Sequence, residues 1–169
     1  MNSLRPSKAI KAALASGYIG FNLAKFLSKL FKVDGLVKDK IKFDFLKDQY
    51  DEIKYHNIDL LNYNFSLNSY EVIIHCALPN DVVSRDEDAG LKLSIIGTQN
   101  LMQACTKIKV KKLIFLSTAQ VYGTNLIGYI DEDQEFSLEN NYALNHKLAE
   151  DLLKYHCKKN KIELYILRI

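Results

Sequence analysis

The chain has only two prolines and seven glycines in 169 residues. No Pro-rich or Gly/Ser-rich stretch divides it, and it shows no internal repeat or low-complexity segment. Its three cysteines, Cys76, Cys105 and Cys157, lie far apart with no Cys-x-x-Cys spacing. That excludes a zinc signature, so no metal is expected, and it suits a reducing compartment better than a disulfide framework. No apolar run approaches ~18 residues, and the first twenty residues lack an adequate secretory h-region. The expectation is a soluble, cytoplasmic protein with no membrane partner. An excess of one charge is missing too, since 23 Lys+Arg against 20 Asp+Glu leave +3. The basic residues are scattered, apart from Lys107–Lys112 and Lys158–Lys161. No nucleic-acid partner is expected from so small a balance.

What is present is ordinary globular material, 48% apolar and 25% charged. Residues 1–169 amount to one domain at the usual ~100–200 residues per domain. A chain of this size buries roughly 70% of its unfolded surface without staples. Short apolar runs alternate with helical ones. Ala9–Ala13 is a weak strand candidate. Ile19–Leu30 has helical apolar spacing at Ile19, Leu23, Phe26, Leu27 and Leu30. Lys32–Val37 reads as a strand, Asp39–Tyr50 as a polar helix and Lys54–Ile58 as a short strand. Glu71–Ala77 (EVIIHCA) is a strand apolar on both faces. Gly90–Lys107 is a helix with Leu93, Ile96, Leu101 and Ala104 inward, and Lys111–Ser117 is a second buried strand. After an acidic loop around Asp131–Glu135, Asn141–Lys159 is the best helix, with Leu144, Leu148, Leu152 and Tyr155 on one stripe. Glu150 and Lys154 form an i,i+4 pair on it. Glu163–Ile169 is the final strand.

Strands apolar on both faces, separated by helices, predict an α/β fold with a mostly parallel, doubly wound sheet. Ligands of such sheets sit beyond the carboxyl ends of the strands. After the first strand comes LASGYIG, residues 14–20. Gly17 and Gly20 match the last two positions of a Gly-x-x-Gly-x-x-Gly dinucleotide loop, and Leu14 stands at the first. Such a loop brings backbone close to a pyrophosphate at a helix N-terminus. An ordinary strand–helix turn is the other reading. Where a dinucleotide domain usually places an acid for the adenosine ribose, the sequence has Val37, then Lys38 and Asp39. Lys38 either favours a ribose 2′-phosphate, hence NADP over NAD, or is a solvated loop lysine. His75 reads as a core histidine, His156 and Cys157 point apart, and Tyr122 reads as packing or as abutting the cofactor pocket.

Several segments together resemble the extended short-chain dehydrogenase/reductase family, the NAD(P)-dependent epimerases and dehydratases of nucleotide sugars. They are ASGYIG (15–20), NIDL (57–60), VIIHCA (72–77), IIGTQNLMQAC (95–105), STAQVYG (117–123), NYALNHKLAEDLL (141–153) and ILRI (166–169). They stand in the family's order and spacing across nearly the whole chain. The resemblance implies a Rossmann-like sheet of order 3-2-1-4-5-6 binding NAD or NADP, without the C-terminal substrate domain. The cofactor loop would be Ser16, Gly17, Tyr18, Ile19 and Gly20. Asp59 and Leu60 would flank the adenine, while Ala77 and Ser117 would line the cofactor. Ser94 replaces the family's usual asparagine. Thr118 matches the catalytic Ser/Thr that bonds the reacting oxygen, and Tyr142 the catalytic tyrosine.

The family places a lysine four residues after that tyrosine, where it holds the nicotinamide ribose and lowers the tyrosine's pKa. Here that position is His146, followed by Lys147. At about 100° per residue, position +4 lies about 40° from Tyr142 and position +5 about 140° away. The family register around Glu150 also puts His146 in the lysine slot. A histidine of pKa near ~6.5 bonds a ribose hydroxyl but depresses a tyrosine of pKa ~10 less than a lysine does. His146 is thus a catalytic and cofactor-binding candidate beside Tyr142, or it packs on the helix. The resemblance implies hydride transfer on a nucleotide-sugar-like small molecule, and a homodimer through helices 90–107 and 141–159. Leu14, Val37 and His146, together with a chain ending on the sixth strand, favour the alternative of a non-catalytic or incomplete dinucleotide-binding module.

Overall fold

A computed structural model describes residues 13–14, 17–50, 52–62, 65–67 and 69–169. Its strands are β1 (Ala13–Leu14), β2 (Asp34–Val37), β3 (Lys54–Asn57), β4 (Val72–His75), β5 (Lys112–Ser117) and β6 (Glu163–Arg168). They form one sheet in the order β3-β2-β1-β4-β5-β6, every pair parallel. Parallel neighbours need crossovers, and the helices supply them. These are α1 (Tyr18–Ser28), α2 (Lys40–Gln49), α3 (Glu87–Leu91), α4 (Thr98–Lys107) and α5 (Asn141–Asn160). The architecture is α/β with parallel strands, and it is Rossmann-like.

Successive strand side chains point to opposite faces, so adjacent residues feed two separate cores. Leu36, Ile73 and Phe115 pack with Leu101, Met102, Ala149 and Leu153 under α4 and α5. Val37 and Ile74 pack with Ala24, Leu46 and Tyr55 under α1 and α2. Of the Ala9–Ala13 strand candidate, only Ala13 lies within the described residues. Leu14, read from sequence as the first loop residue, is instead the last residue of β1 and pairs with Leu36. A parallel ladder accepts leucine there without positive φ.

One inward assignment needs correction. Ile96 is 46% exposed. The backbone from Lys92 to Gly97 is π-helical, and the wider turn shifts the phase that a 3.6-residue period assumes. On α5 the stripe against the sheet is Ala143, His146, Ala149, Glu150, Leu153 and Cys157. Of the apolar stripe of Leu144, Leu148, Leu152 and Tyr155, Leu144 and Tyr155 are exposed and Leu148 and Leu152 are half-buried. Spacing reveals a stripe but not the side it faces. Ala143 and Ala149 allow the close approach to the sheet that the leucines would prevent.

Candidate functional site

The carboxyl ends of β4 and β5 meet the N-terminus of α1 and the first turns of α5 around a cleft of about 460 Å³. Gly17, Tyr18, Ile19, Gly20, Ala77, Ser117, Tyr142 and His146 all line it. Gly17 caps α1 with φ −96° and ψ 170°, an extended conformation, and no side chain caps that helix. A Cβ built on Gly17 would meet nothing within 4 Å. The folded chain therefore does not require glycine here for packing or backbone strain. What its missing side chain leaves is room over a helix N-terminus, the setting in which phosphates bind. Ser16 lies outside the described residues.

Tyr142 and His146 are set by the start of α5. Asn140 caps that helix, its Oδ1 accepting from Ala143 N at 2.8 Å. Its Nδ2 donates to Gln120 Oε1 at 3.0 Å, tying α5 to the turn after β5. One helical turn separates Tyr142 from His146, and their ring centroids lie 4.3 Å apart. His146 Nδ1 lies 2.9 Å from the Tyr142 carbonyl oxygen. A carbonyl only accepts, so Nδ1 is the protonated nitrogen and Nε2 carries the lone pair. Burial pushes the His146 pKa down, against the opposing pull of that carbonyl and of Glu150. The imidazole is held neutral. Lys147 is no substitute cation, because its Nζ is bound to Asp151 at 2.6 Å and lies 4.6 Å from the Phe136 ring centroid.

Five candidates lie outside the cleft lining. Thr118 is buried just past Ser117, and its Oγ1 accepts from Gln120 N at 3.2 Å. Lys38 Nζ pairs with Asp59 Oδ2 at 3.3 Å on the ends of β2 and β3. Leu60 is buried in the core under α4, and its carbonyl accepts from Asn100 Nδ2 at 2.9 Å. Ser94 is fully buried and spends its hydroxyl on the Gly90 carbonyl at 2.8 Å.

The structure also adds residues that sequence reading missed. Lys42, one turn beyond Lys38, lines the cleft. Glu150 sits one turn beyond His146 on the same buried face, fully buried. Ser117 Oγ donates to Glu150 Oε1 at 2.6 Å, and Arg168 donates to both carboxylate oxygens at 2.9 and 2.8 Å. Desolvation raises the Glu150 pKa, but the Arg168 and Ser117 hydrogen bonds outweigh it and hold the carboxylate below its usual range. Lys154, expected as its partner, is the remote one at 3.9 Å. The i,i+4 series 142, 146, 150 was the available signal. Among the described residues no group of three His, Cys, Asp or Glu side chains is placed to hold a metal. No described helix is long and apolar enough to cross a membrane.

The model of the NAD dependent epimerase/dehydratase family matches residues 15–169. The chain belongs to that family. Its curated relatives include the ADP-L-glycero-D-manno-heptose-6-epimerase of Brachyspira hyodysenteriae, 30% identical over 156 residues. That match covers 87% of this chain and 48% of the relative. The UDP-glucose 4-epimerase of Vibrio cholerae is 29% identical across 95% of this chain and 51% of its own. Among solved structures, the UDP-glucuronic acid 4-epimerase of Bacillus cereus, in complex with UDP-glucuronic acid and NAD, superposes with a TM-score of 0.80 at 27% identity. It is matched over 95% of this chain and 55% of its own. This epimerase/dehydratase family member thus spans about half the length of the relatives it matches, over their N-terminal part.

Proposed function

We propose that this chain forms the dinucleotide-binding part of an NAD(P)-dependent epimerase or dehydratase of nucleotide sugars. One observation carries the reading: the Gly17–Gly20 loop, Ala77, Ser117 and the Tyr142–His146 turn share a single cleft. The room over Gly17 and the uncapped start of α1 fit a pyrophosphate. Gly17 through Gly20 would hold it, with Ala77 and Ser117 beneath the ribose and Asp59 beside the adenine. The bound dinucleotide supplies the hydride acceptor.

Tyr142 would take the proton from the hydroxyl of the sugar carbon that gives its hydride to the dinucleotide, and would return a proton when the hydride is given back. Thr118 Oγ1 already accepts one hydrogen bond, and its own proton is available to a substrate oxygen. His146 differs from a lysine here. With Nδ1 bound to the Tyr142 carbonyl, its Nε2 accepts a hydrogen bond from a ribose hydroxyl but brings no positive charge to Tyr142. That neutrality favours a second reading, a module that binds the dinucleotide without turnover. The outward stripes of α5 and of the Ile95–Ile96 segment support a homodimer.

Cofactor titration and a tyrosine variant test the proposal. Adding NADH or NADPH at millimolar concentration is expected to raise the reduced cofactor's fluorescence and the protein's melting temperature. No response with either overturns the reading. Cofactor reduction on adding a UDP-sugar is expected to fall by about 10²–10⁴ in Tyr142→Phe, with cofactor binding retained. Binding without any wild-type turnover selects the non-catalytic module.

A further inference from the structure

We infer that the cleft selects a dinucleotide bearing a 2′-phosphate on its adenosine ribose, and that Lys42 is the selecting side chain. The inference rests on the cleft being a dinucleotide site, and it adds which dinucleotide the site takes. Among the described residues lining the cleft, Lys42 is the only one with a permanently charged side chain, and no Asp or Glu is among them. Dinucleotide domains that take an unphosphorylated ribose present a carboxylate at the end of the second strand, where it accepts from the ribose hydroxyls. Here β2 ends in Val37, which is fully buried and packs into the core under α1 and α2.

The nearby carboxylates are committed elsewhere. Asp39 Oδ1 caps α2 by accepting from Lys42 N at 2.9 Å. Asp59 accepts from Leu61 N at 3.0 Å with one oxygen and pairs with Lys38 at 3.3 Å with the other. The lysines are not equivalent either. Lys40 is paired with Asp44 one turn along α2. Lys42 has no ion pair among the described residues, and it stands in the first turn of a ten-residue helix whose dipole favours an anion at that end. An ammonium at the cleft wall without a competing carboxylate suits a phosphate dianion and offers nothing to a bare ribose diol.

Lys42 could also serve the pyrophosphate, which both cofactors share, and the experiment separates these roles. NADH and NADPH are titrated by fluorescence into the full chain and into Lys42→Ala, with 2′,5′-ADP and 5′-ADP compared by thermal shift. Circular dichroism verifies that the variant, altered at an exposed position, is folded. NADPH is expected to bind tighter than NADH by about tenfold, the value of one charge-assisted hydrogen bond. Lys42→Ala is expected to lose most of that advantage while NADH binding stays unchanged, and Lys42→Glu to reverse the preference. Equal affinities, a preference for NADH, or equal weakening of both cofactors in Lys42→Ala overturns the inference and leaves the dinucleotide reading intact. Failure of both cofactors to bind overturns the two together.

Discussion

His75 is fully buried on β4, its ring centroid 5.3 Å from that of Phe115, and its Nε2 has no hydrogen-bond partner among the described residues. Burial, helped by the nearby His146, pushes its pKa down to about 3. The folded chain therefore binds fewer protons than the unfolded chain between about pH 3 and the ordinary histidine value near 6.5. The stability this group contributes is complete above about pH 6.5 and is lost as pH falls, by roughly 1 kcal/mol per pH unit. His146 acts in the same direction. His75→Leu removes a charge-averse group and an orphaned nitrogen together. Urea unfolding of this variant is expected to match wild type or exceed it at pH 7, and to lose less stability on going to pH 5. An unchanged pH slope would show that His75 does not carry the acid sensitivity. The window stays above the carboxylate range, so Glu150 does not confuse the result.

At the scale of elements, the tie between α5, β5 and β6 is ionic as well as apolar. Glu150 comes from α5, Ser117 from β5 and Arg168 from β6, and the guanidinium lies 5.1 Å from the ring centroids of both Tyr122 and Phe136. Removing one partner strands a buried charge, whereas removing both does not. Arg168→Leu is expected to cost about 3–5 kcal/mol in chemical denaturation, and Glu150→Leu with Arg168→Leu to recover a large part of it. Additive losses in the double variant would mean that the pair is not coupled. The same geometry explains why Ser117 lines the cleft without being free: its hydroxyl is already given to Glu150.

At the scale of the whole molecule, the outward face is decided by which stripe of each helix the sheet takes. α5 buries its alanines and keeps Leu144 and Tyr155 exposed, and the π-helical segment leaves Ile95 and Ile96 exposed. Exposed apolar side chains on adjoining helices are what a second copy would cover in the proposed homodimer. Light scattering is expected to give a dimer, and Leu148→Glu with Ile96→Glu a monomer that retains the wild-type circular dichroism. A wild-type monomer at all concentrations would remove the dimer from the reading.

The alternation of strands and helices, the glycine pair at 17 and 20, and the Tyr142–His146 spacing were all legible in the sequence, because each is a local pattern of two to four residues. Local periodicity also located the outer stripe of α5. It could not say which stripe meets the sheet, since that depends on how closely two surfaces approach. The same limit hid Lys42 and the Glu150–Arg168 pair. Lys42 sits among other lysines of similar local setting, and only the folding of α2 beside the glycine loop brings it to the cleft. Glu150 and Arg168 are eighteen residues apart, and only the parallel pairing of β5 with β6 beneath α5 joins them. Sequence by itself determined the elements and the residue types at the strand ends. Tertiary structure decided which of those side chains share one low-dielectric space, where charge and hydrogen bonding become selective.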